Sequence, residues 1–144
     1  MAGVRIGIIG AGAMGEAHAG ALAQLPDVTL TGIATRTRAR GEALAARFGI
    51  AGVFPDAASL IDAGVDGVIV ATGDNDHVAP TCLALERGVA VLLEKPIAGD
   101  VAGAETIAAT VARTGGILVP GHILRFTLPY QRLRAEVAAG AIEI

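Results

Sequence analysis

A glycine-rich run at residues 10–15, with the sequence GAGAMG, constrains the fold of this chain more than any other feature. It directly follows the β-branched segment Val4–Ile9 and precedes an alanine-rich segment with helical spacing. A G-x-G-x-x-G run between a strand and a helix is typical of a βαβ unit that binds phosphate groups at the helix N-terminus. The sequence therefore predicts a parallel sheet that starts with this unit.

The rest of the chain alternates short apolar segments with segments of helical spacing. Strands are predicted at Val4–Ile9, Val28–Ala34, Gly52–Phe54, Gly67–Ala71, Val89–Leu93 and Ile117–Pro120. Helices are predicted at Ala13–Leu25, Arg38–Phe48, Ala57–Ala63, His77–Arg87, Val101–Thr114 and Leu128–Ala139. Strands that are apolar on both faces belong to a parallel sheet covered by helices on both sides. We therefore expect an α/β fold, a doubly wound parallel sheet of the Rossmann type with three α/β/α layers.

Composition fits this fold and excludes several functional classes. The 144 residues suit one domain, and 53% hydrophobic against 17% charged residues excludes intrinsic disorder. Aromatic residues make up only 3%, so the core must consist of Val, Ile, Leu and Ala. The net charge is −3 and no basic run occurs, so we expect no nucleic-acid partner.

The chain carries no clear signal for secretion, a membrane or a metal. The single cysteine, Cys82, cannot form an internal disulfide and has no metal-ligand spacing, which favours a cytoplasmic setting and no metal site. No apolar stretch of about 20 residues is free of breakers, so no membrane helix is expected. The apolar start is similar to a signal peptide, but Gly7, Gly10 and Gly12 interrupt it, and a strand with a glycine loop fits better.

The three glycines of the motif have distinct expected roles in binding a dinucleotide. Gly10 would permit a tight turn, Gly12 would let the backbone approach a pyrophosphate, and Gly15 would let the helix pack closely on the strand. The first helical residues, Ala13 and Met14, would present free N–H groups and a partial positive charge to the phosphates. The alternative is a glycine-rich turn without a ligand.

The end of the second strand predicts which dinucleotide is bound. Sites for NAD usually have an acidic residue about 20 residues after the loop, on the adenine ribose. Thr35 and Arg36 occupy that place here, and Arg38 and Arg40 follow closely. A guanidinium group suits a phosphate, and the Thr35 hydroxyl can donate to it, so the sequence favours NADP(H) over NAD(H). The alternative is that these arginines only form a solvated helix start.

Two further segments follow strands and should lie on the same edge of the sheet. After the fifth strand comes Glu94-Lys95-Pro96, where Lys95 would polarise or protonate a substrate oxygen and Pro96 would fix the turn, with a cis bond as one option. After the fourth strand, Asn75 or Asp76 would cap the next helix.

The histidines and the serine are less informative. His77 would contact a cofactor or substrate, or be structural, and His18 and His122 are equally open. Ser59 is the only serine and no G-x-S-x-G motif is present, so we expect no serine nucleophile. For Lys95 itself, the alternative is an exposed Glu-Lys pair in a loop.

Together, GAGAMG, then ATGDNDH at 71–77, VLLEKPIA at 91–98 and GHILRF at 121–126, resemble the glucose-fructose oxidoreductase/inositol dehydrogenase/MocA (Gfo/Idh/MocA) family over essentially the whole chain. The resemblance implies an N-terminal Rossmann domain and a C-terminal α/β domain whose open sheet often forms an oligomer interface. It also implies hydride transfer between a nicotinamide and a sugar, polyol or related hydroxyl substrate. It places Lys95 beside nicotinamide and substrate, and it assigns the cofactor pocket to Glu94, Pro96, Thr72, Asn75 and His77.

The chain departs from the family pattern in three respects. Thr35-Arg36 replaces the commoner acidic residue, Gly73 stands where the family often has proline, and the C-terminal domain is not among these 144 residues. We therefore expect a Rossmann domain at 1–121 and, at 122–144, the start of the connection towards a substrate domain. In the family, that second domain supplies the other proton-transfer residues, typically an Asp and a His.

Whether this chain alone is an enzyme therefore stays open. The alternative function is a non-catalytic dinucleotide-binding module or sensor that a partner completes, and a small-molecule substrate is expected only where a C-terminal domain is supplied. A methyltransferase is disfavoured because Thr35 occupies the place of the acidic residue that its cofactor ribose needs. The mean hydropathy is +0.60, and where a covering domain is absent we expect an exposed apolar patch and self-association as a homo-oligomer.

Overall fold

The computed structural model describes residues 3–142; the outer ends of the two expected domain ranges, 1–2 and 143–144, lie outside the described residues. The strands are β1 (Val4–Ile9), β2 (Val28–Ala34), β3 (Val53–Phe54), β4 (Gly67–Val70), β5 (Ala90–Leu93) and β6 (Leu118–Pro120). The helices are α1 (Ala13–Leu22), α2 (Arg38–Phe48), α3 (Ala57–Asp62), α4 (Val78–Glu86), α5 (Val101–Thr114) and α6 (Leu128–Ala138). Short 3₁₀ turns occur at Asp74–Asp76 and Ile123–Phe126.

The strands form one parallel sheet in the order β3-β2-β1-β4-β5-β6. The chain winds outwards from β1 to β3, then returns to the other side of β1 and continues through β4, β5 and β6. This confirms the predicted doubly wound sheet. The order reverses between β1 and β4, and ligands of open α/β sheets bind at such a switch point, outside the carboxyl ends of the strands.

Apolar side chains cover both faces of the sheet, as the strand sequences predict. Neighbouring residues of one strand point to opposite faces, so Ile8 lies in one hydrophobic cluster and Ile9 in the other. Ile33 and Ala34 of β2 divide in the same way. The two clusters make the fold a three-layer α/β/α structure. They also hold the carboxyl ends of β1 and β2 in place, and with them the loops that follow these strands.

The α1 helix ends earlier than the sequence pattern predicts, at Leu22 instead of Leu25. After it, the Gln24 and Leu25 N–H groups bond to carbonyls three residues back, at Ala21 and Leu22, in a tighter turn. Helices often finish in this way where no glycine cap is present. Within residues 3–142, no helix has the length and apolar character needed to cross a bilayer.

An ion pair lies at the amino ends of the strands, on the side of the sheet away from the switch-point loops. The Arg5 N–H and guanidinium both donate to the Asp66 carboxylate, so the start of β1 is tied to the turn before β4. These hydrogen bonds from Arg5 hold the pKa of Asp66 at about 2. The carboxylate is thus ionised at neutral pH and keeps its ion pair with Arg5.

The part of the chain after β5 exposes much of its apolar surface. No residue of α6 is buried. Large apolar side chains between 117 and 133 lie open to solvent, namely Ile117, Val119, Ile123, Leu124, Phe126, Leu128, Tyr130 and Leu133. Exposed apolar patches of this kind usually mark interaction surfaces.

We predict that the chain self-associates through this surface. Analytical ultracentrifugation should show a concentration-dependent rise in sedimentation coefficient, and Phe126→Ser should reduce it. Val101→Ser is a matched control, because Val101 and Phe126 are both 74% exposed but Val101 lies at the start of α5. Monomeric behaviour of the unaltered chain at high concentration would contradict the prediction.

Candidate dinucleotide-binding site

A groove of about 860 Å³ lies at the switch point of the sheet, and residues that follow the strands β1, β2, β3 and β4 line it. Its floor comes from the loop after β1, one wall from the segment after β2, and the other wall from the segment after β4. Sites for small molecules and cofactors usually have volumes of about 300–1,000 Å³. The groove therefore has the position and the size of a cofactor site.

The glycine motif builds the floor of the groove. Gly10 has a φ of +114°, and a Cβ there would lie 2.3 Å from the Ala71 carbonyl oxygen, so a side chain is excluded. A Cβ at Gly15 would lie 2.0 Å from the Gly10 carbonyl oxygen, so α1 packs directly on the loop. At Gly12 a Cβ would meet nothing within 4 Å, which leaves space above the loop for a ligand.

The start of α1 is open to an anion. Gly12 is the N-cap residue and has no side chain to accept from the first-turn N–H groups. The first intrahelical bond runs from Glu16 N–H to the Gly12 carbonyl, so the N–H groups before Glu16 lack helical partners. Ala13 and Met14 line the groove at this point. Phosphate oxygens are the acceptors that such a helix start favours.

The wall after β2 carries positive charge. Thr35, Arg36 and Arg40 line the groove, whereas the Arg38 guanidinium donates to Glu42 one helical turn later, at 2.7 Å. The hydroxyl oxygen of Thr35, Oγ1, accepts a hydrogen bond from the Thr37 N–H at 3.1 Å. The hydroxyl hydrogen stays available to donate to a ligand. This end of the groove can therefore bind a phosphate.

The wall after β4 contributes polar side chains to the groove. Thr72 and Asn75 line it, and the Thr72 hydroxyl donates to the Asp76 carbonyl oxygen at 3.1 Å. The prediction that Asn75 or Asp76 caps the next helix is wrong, because the cap position of α4 is His77 and no side chain bonds there. The Asp76 carboxylate instead lies 3.3 Å from the Arg36 guanidinium across the groove.

The Glu94-Lys95-Pro96 turn follows β5, which neighbours β4 in the sheet. Lys95 is exposed, and the Lys95–Pro96 peptide bond is cis, the option that the sequence left open. Glu94 is only 3% exposed, so the interpretation of an exposed Glu-Lys pair is wrong for this residue. Its carboxylate pairs with His18 of α1.

His77 is a buried residue, only 1% exposed, and is not among the residues that line the groove. Its Nδ1 lies 2.7 Å from the Pro96 carbonyl oxygen. A carbonyl oxygen only accepts hydrogen bonds, so Nδ1 carries the hydrogen and donates it. His77 therefore connects the segment after β4 to the turn that contains Lys95.

The structure brings most, but not all, of the expected cofactor residues to the groove. Those that line it are Gly10, Gly12, Ala13, Met14, Thr35, Arg36, Arg40, Thr72 and Asn75. Gly15 supports the loop from behind, and Glu94, Lys95 and Pro96 follow the neighbouring strand, β5. His77 lies at the start of α4 and bonds to Pro96.

Sequence reasoning missed several residues that line the groove. They are Pro55, Asp56 and Ala57 after β3, and Val78, Ala79 and Pro80 at the start of α4. The Asp56 carboxylate caps α3 by accepting from the Ser59 N–H at 2.8 Å, and this bond lowers the pKa of Asp56. The one available signal was position, since Pro55 directly follows β3 and α4 begins at the end of the loop after β4.

A doubly wound sheet with this glycine loop at its switch point defines the class of nucleotide-binding Rossmann domains. Comparison with known proteins identifies the family. The profile of the Gfo/Idh/MocA oxidoreductase family, described as having an NAD-binding Rossmann fold, matches residues 4–122, and the chain belongs to this family.

Relatives and solved structures agree with this assignment. Inositol 2-dehydrogenase 1 of Saccharopolyspora erythraea is 36% identical over 143 residues, which covers 96% of this chain and 42% of the relative. Inositol 2-dehydrogenase of Acidothermus cellulolyticus is 38% identical over 142 residues, with the same two coverages. The chain thus spans about two fifths of the length of these relatives.

The fold also matches solved structures over the same fraction of their chains. Myo-inositol dehydrogenase from Lactobacillus casei, in complex with NAD(H) and myo-inositol, superposes with a TM-score of 0.90 at 27% identity. The match covers 96% of this chain and 42% of that one. The family description thus names an NAD-binding Rossmann fold, and this neighbour was solved with NAD(H) bound.

We predict opposite outcomes for two glycine variants of the loop. Gly15→Ala should lower the free energy of unfolding by about 1–3 kcal/mol, because its Cβ would overlap the Gly10 carbonyl oxygen. Gly12→Ala should change stability by less than about 1 kcal/mol but weaken NADH binding about tenfold or more, since the methyl group occupies the space above the loop.

Urea unfolding and calorimetric titration of the two variants check this prediction. Urea unfolding should show a loss of stability in Gly15→Ala only. The near-normal stability expected of Gly12→Ala ensures that its weaker binding does not come from unfolding. Unchanged NADH affinity in Gly12→Ala would show that the dinucleotide does not approach the loop at this residue.

Proposed function

We propose that this chain is the NADP(H)-preferring cofactor domain of an oxidoreductase that transfers hydride to or from a sugar, polyol or similar hydroxyl substrate. The observation that carries the proposal is the pair of arginines, Arg36 and Arg40, on the wall of the groove next to Thr35. In NAD sites, an acidic residue at this strand end binds the adenine ribose. Here a hydroxyl and a guanidinium group take its place.

The residues of the groove fit a dinucleotide. The space above Gly12 and the uncapped start of α1 suit a pyrophosphate, with Ala13 and Met14 as first-turn donors. Arg36 is 88% exposed at its side chain, so it can turn towards a 2′-phosphate without losing a buried contact. Its forked donors suit two phosphate oxygens, and a phosphate would compete with Asp76 for them.

Lys95 is the residue of this chain that we assign to the chemistry. A bound nicotinamide supplies the hydride chemistry, while the protein orients the reactants and stabilises charge. Lys95 lies directly after β5, at the carboxyl edge of the sheet beside the groove. Its ammonium group would hold a proton at Nζ and donate a hydrogen bond to the substrate oxygen, which favours the charge that develops there.

The substrate class and the completed site rest on the relatives. Two of the relatives that match are named inositol 2-dehydrogenases, a third is named D-glucoside 3-dehydrogenase, and one solved neighbour contains myo-inositol. This supports a polyol or sugar as substrate, bound when a further domain completes the site around Lys95. The second candidate is a dinucleotide-binding module without turnover, which fits a groove whose lining does not include Lys95.

We predict that NADPH binds more tightly than NADH and that Arg36 is the reason. Arg36→Ala should weaken NADPH binding about tenfold or more, the effect of losing a charge-assisted hydrogen bond of about 1.5–3 kcal/mol, and should leave NADH affinity nearly unchanged. Calorimetric titration of both dinucleotides measures this.

Arg38→Ala is the matched control, because Arg38 already donates to Glu42 and does not line the groove. Tighter binding of NADH, or equal loss of both dinucleotides in Arg36→Ala, would contradict the NADP(H) preference. Failure of the unaltered chain to bind either dinucleotide would contradict the proposed function itself.

We predict that Lys95→Ala affects turnover far more than binding. In a two-domain protein that contains this chain, kcat for polyol oxidation should fall by about 10²–10⁴, the usual contribution of a positioned proton-transfer group. The dissociation constant of NADPH should change less than about threefold, since Lys95 does not line the groove. Unchanged turnover would remove Lys95 from the reaction, and no turnover in the unaltered protein would favour the non-catalytic module.

A further inference from the structure

Two histidines from different elements hold the residues on either side of Lys95. His18 Nε2 lies 2.8 Å from Glu94 Oε1, and His77 Nδ1 lies 2.7 Å from the Pro96 carbonyl oxygen. An ionised carboxylate and a carbonyl oxygen accept hydrogen bonds only, so both ring nitrogens donate. Each neighbour of Lys95 is thus fixed by a hydrogen bond from outside its own loop.

These bonds are buried, which makes them costly to break. Glu94 is 3% and His77 is 1% exposed, so a lost partner would leave a polar group without water. The second Glu94 oxygen accepts from the Lys95 backbone N–H at 3.2 Å. The chain at Gly121 backs this carboxylate, since a Cβ there would lie 3.5 Å from Glu94 Cδ.

The two histidines lie on elements that extend from the floor and from one wall of the groove, although neither lines it. His18 lies in α1, the helix that begins at the glycine loop, and His77 follows the segment that contains Thr72 and Asn75. A third contact also joins the turn to the wall after β4. Gly99, just past the turn, lies so close to Asn75 that a Cβ would be 2.0 Å from Asn75 Oδ1. The turn is therefore tied to both parts of the dinucleotide groove.

We propose that His18 and His77 are positioning residues that hold the Glu94-Lys95-Pro96 turn in register with the dinucleotide groove. Neither histidine needs to touch the dinucleotide or the substrate. They act through Glu94 and Pro96, and they keep the exposed Lys95 at a fixed distance from the groove. This inference rests on the proposed role of Lys95, but the coupling between His18 and the turn can be measured without any ligand.

Lys95 is the only lysine in the chain, which provides a specific probe. Labelling with [¹⁵N]lysine gives one backbone amide signal, and this N–H is the one that donates to Glu94. His18→Leu should shift or broaden that signal, because Glu94 loses its donor. His18→Gln should restore it, since the glutamine amide nitrogen can donate from nearly the same place as Nε2.

His18 is the better first target because its side chain is 21% exposed, so its variants are expected to fold. At the buried position, His77→Asn keeps a donor in place of Nδ1 and removes Nε2, which has no partner among residues 3–142. It should leave the Lys95 signal close to that of the unaltered chain, whereas His77→Leu should move it. The exposed third histidine provides the control, and His122→Leu should leave the signal unchanged.

Kinetics separate positioning from a merely structural role. In a two-domain protein that contains this chain, His18→Leu should lower kcat by about 10²-fold, the effect of a small misplacement of a reacting group, and His18→Gln should recover most of it. The KM for NADPH should change less than about threefold, because His18 does not line the groove.

Two results would overturn the inference. One is a lower melting temperature in His18→Leu with an unchanged Lys95 signal and unchanged kcat, which would make the bond structural only. The other is an equal change in the leucine and glutamine variants, which would exclude the hydrogen bond as the cause. If the unaltered chain binds neither dinucleotide but the Lys95 signal responds as expected, the proposed function fails while the coupling between His18 and the turn stands.

Discussion

The structure depends on a parallel sheet whose central strands are buried on both faces. Ile8 and Ile9 lie in opposite hydrophobic clusters, so the carboxyl half of β1 has no face left for polar groups, and Arg5 lies at the exposed start of the strand. Polar chemistry is therefore confined to the ends of the strands. Because all six strands are parallel, their carboxyl ends share one edge, and the glycine loop, the arginines and the lysine turn meet there although they are far apart in sequence.

The floor of this site is shaped by the absence of side chains. Gly10 and Gly15 bring the loop, α1 and the end of β4 within distances that any Cβ would prevent. The close packing of backbone on backbone leaves the first-turn N–H groups of α1 pointing towards open space above Gly12. The many glycines and few aromatic residues of the chain suit this arrangement. Small side chains between α1 and the sheet let the start of the helix approach the strand ends closely.

Sequence patterns predicted the sheet, its three layers and the glycine loop, because periodicity and the G-x-G-x-x-G motif are local signals. They failed locally at the end of α1, where bonds to residues three positions back tighten the chain at Gln24 and Leu25. They also failed where contacts join distant residues, since Asp76 pairs across the groove with Arg36 instead of capping α4. His18 and Glu94 are separated by 76 positions, so no local pattern could connect them. Only the folded sheet brings these residues together.

The burial of Glu94 argues that the edge of the sheet is organised for more than stability. Removing a carboxylate from water is costly, and a buried pair with histidine repays that cost only with good geometry. An apolar residue would satisfy the core at the end of β5, where Leu93 is already fully buried. A carboxylate here gains something else, since one oxygen binds α1 through His18 and the other binds the Lys95 N–H. These two bonds join the glycine-loop helix to the lysine turn, an arrangement that suits the proposed positioning of Lys95.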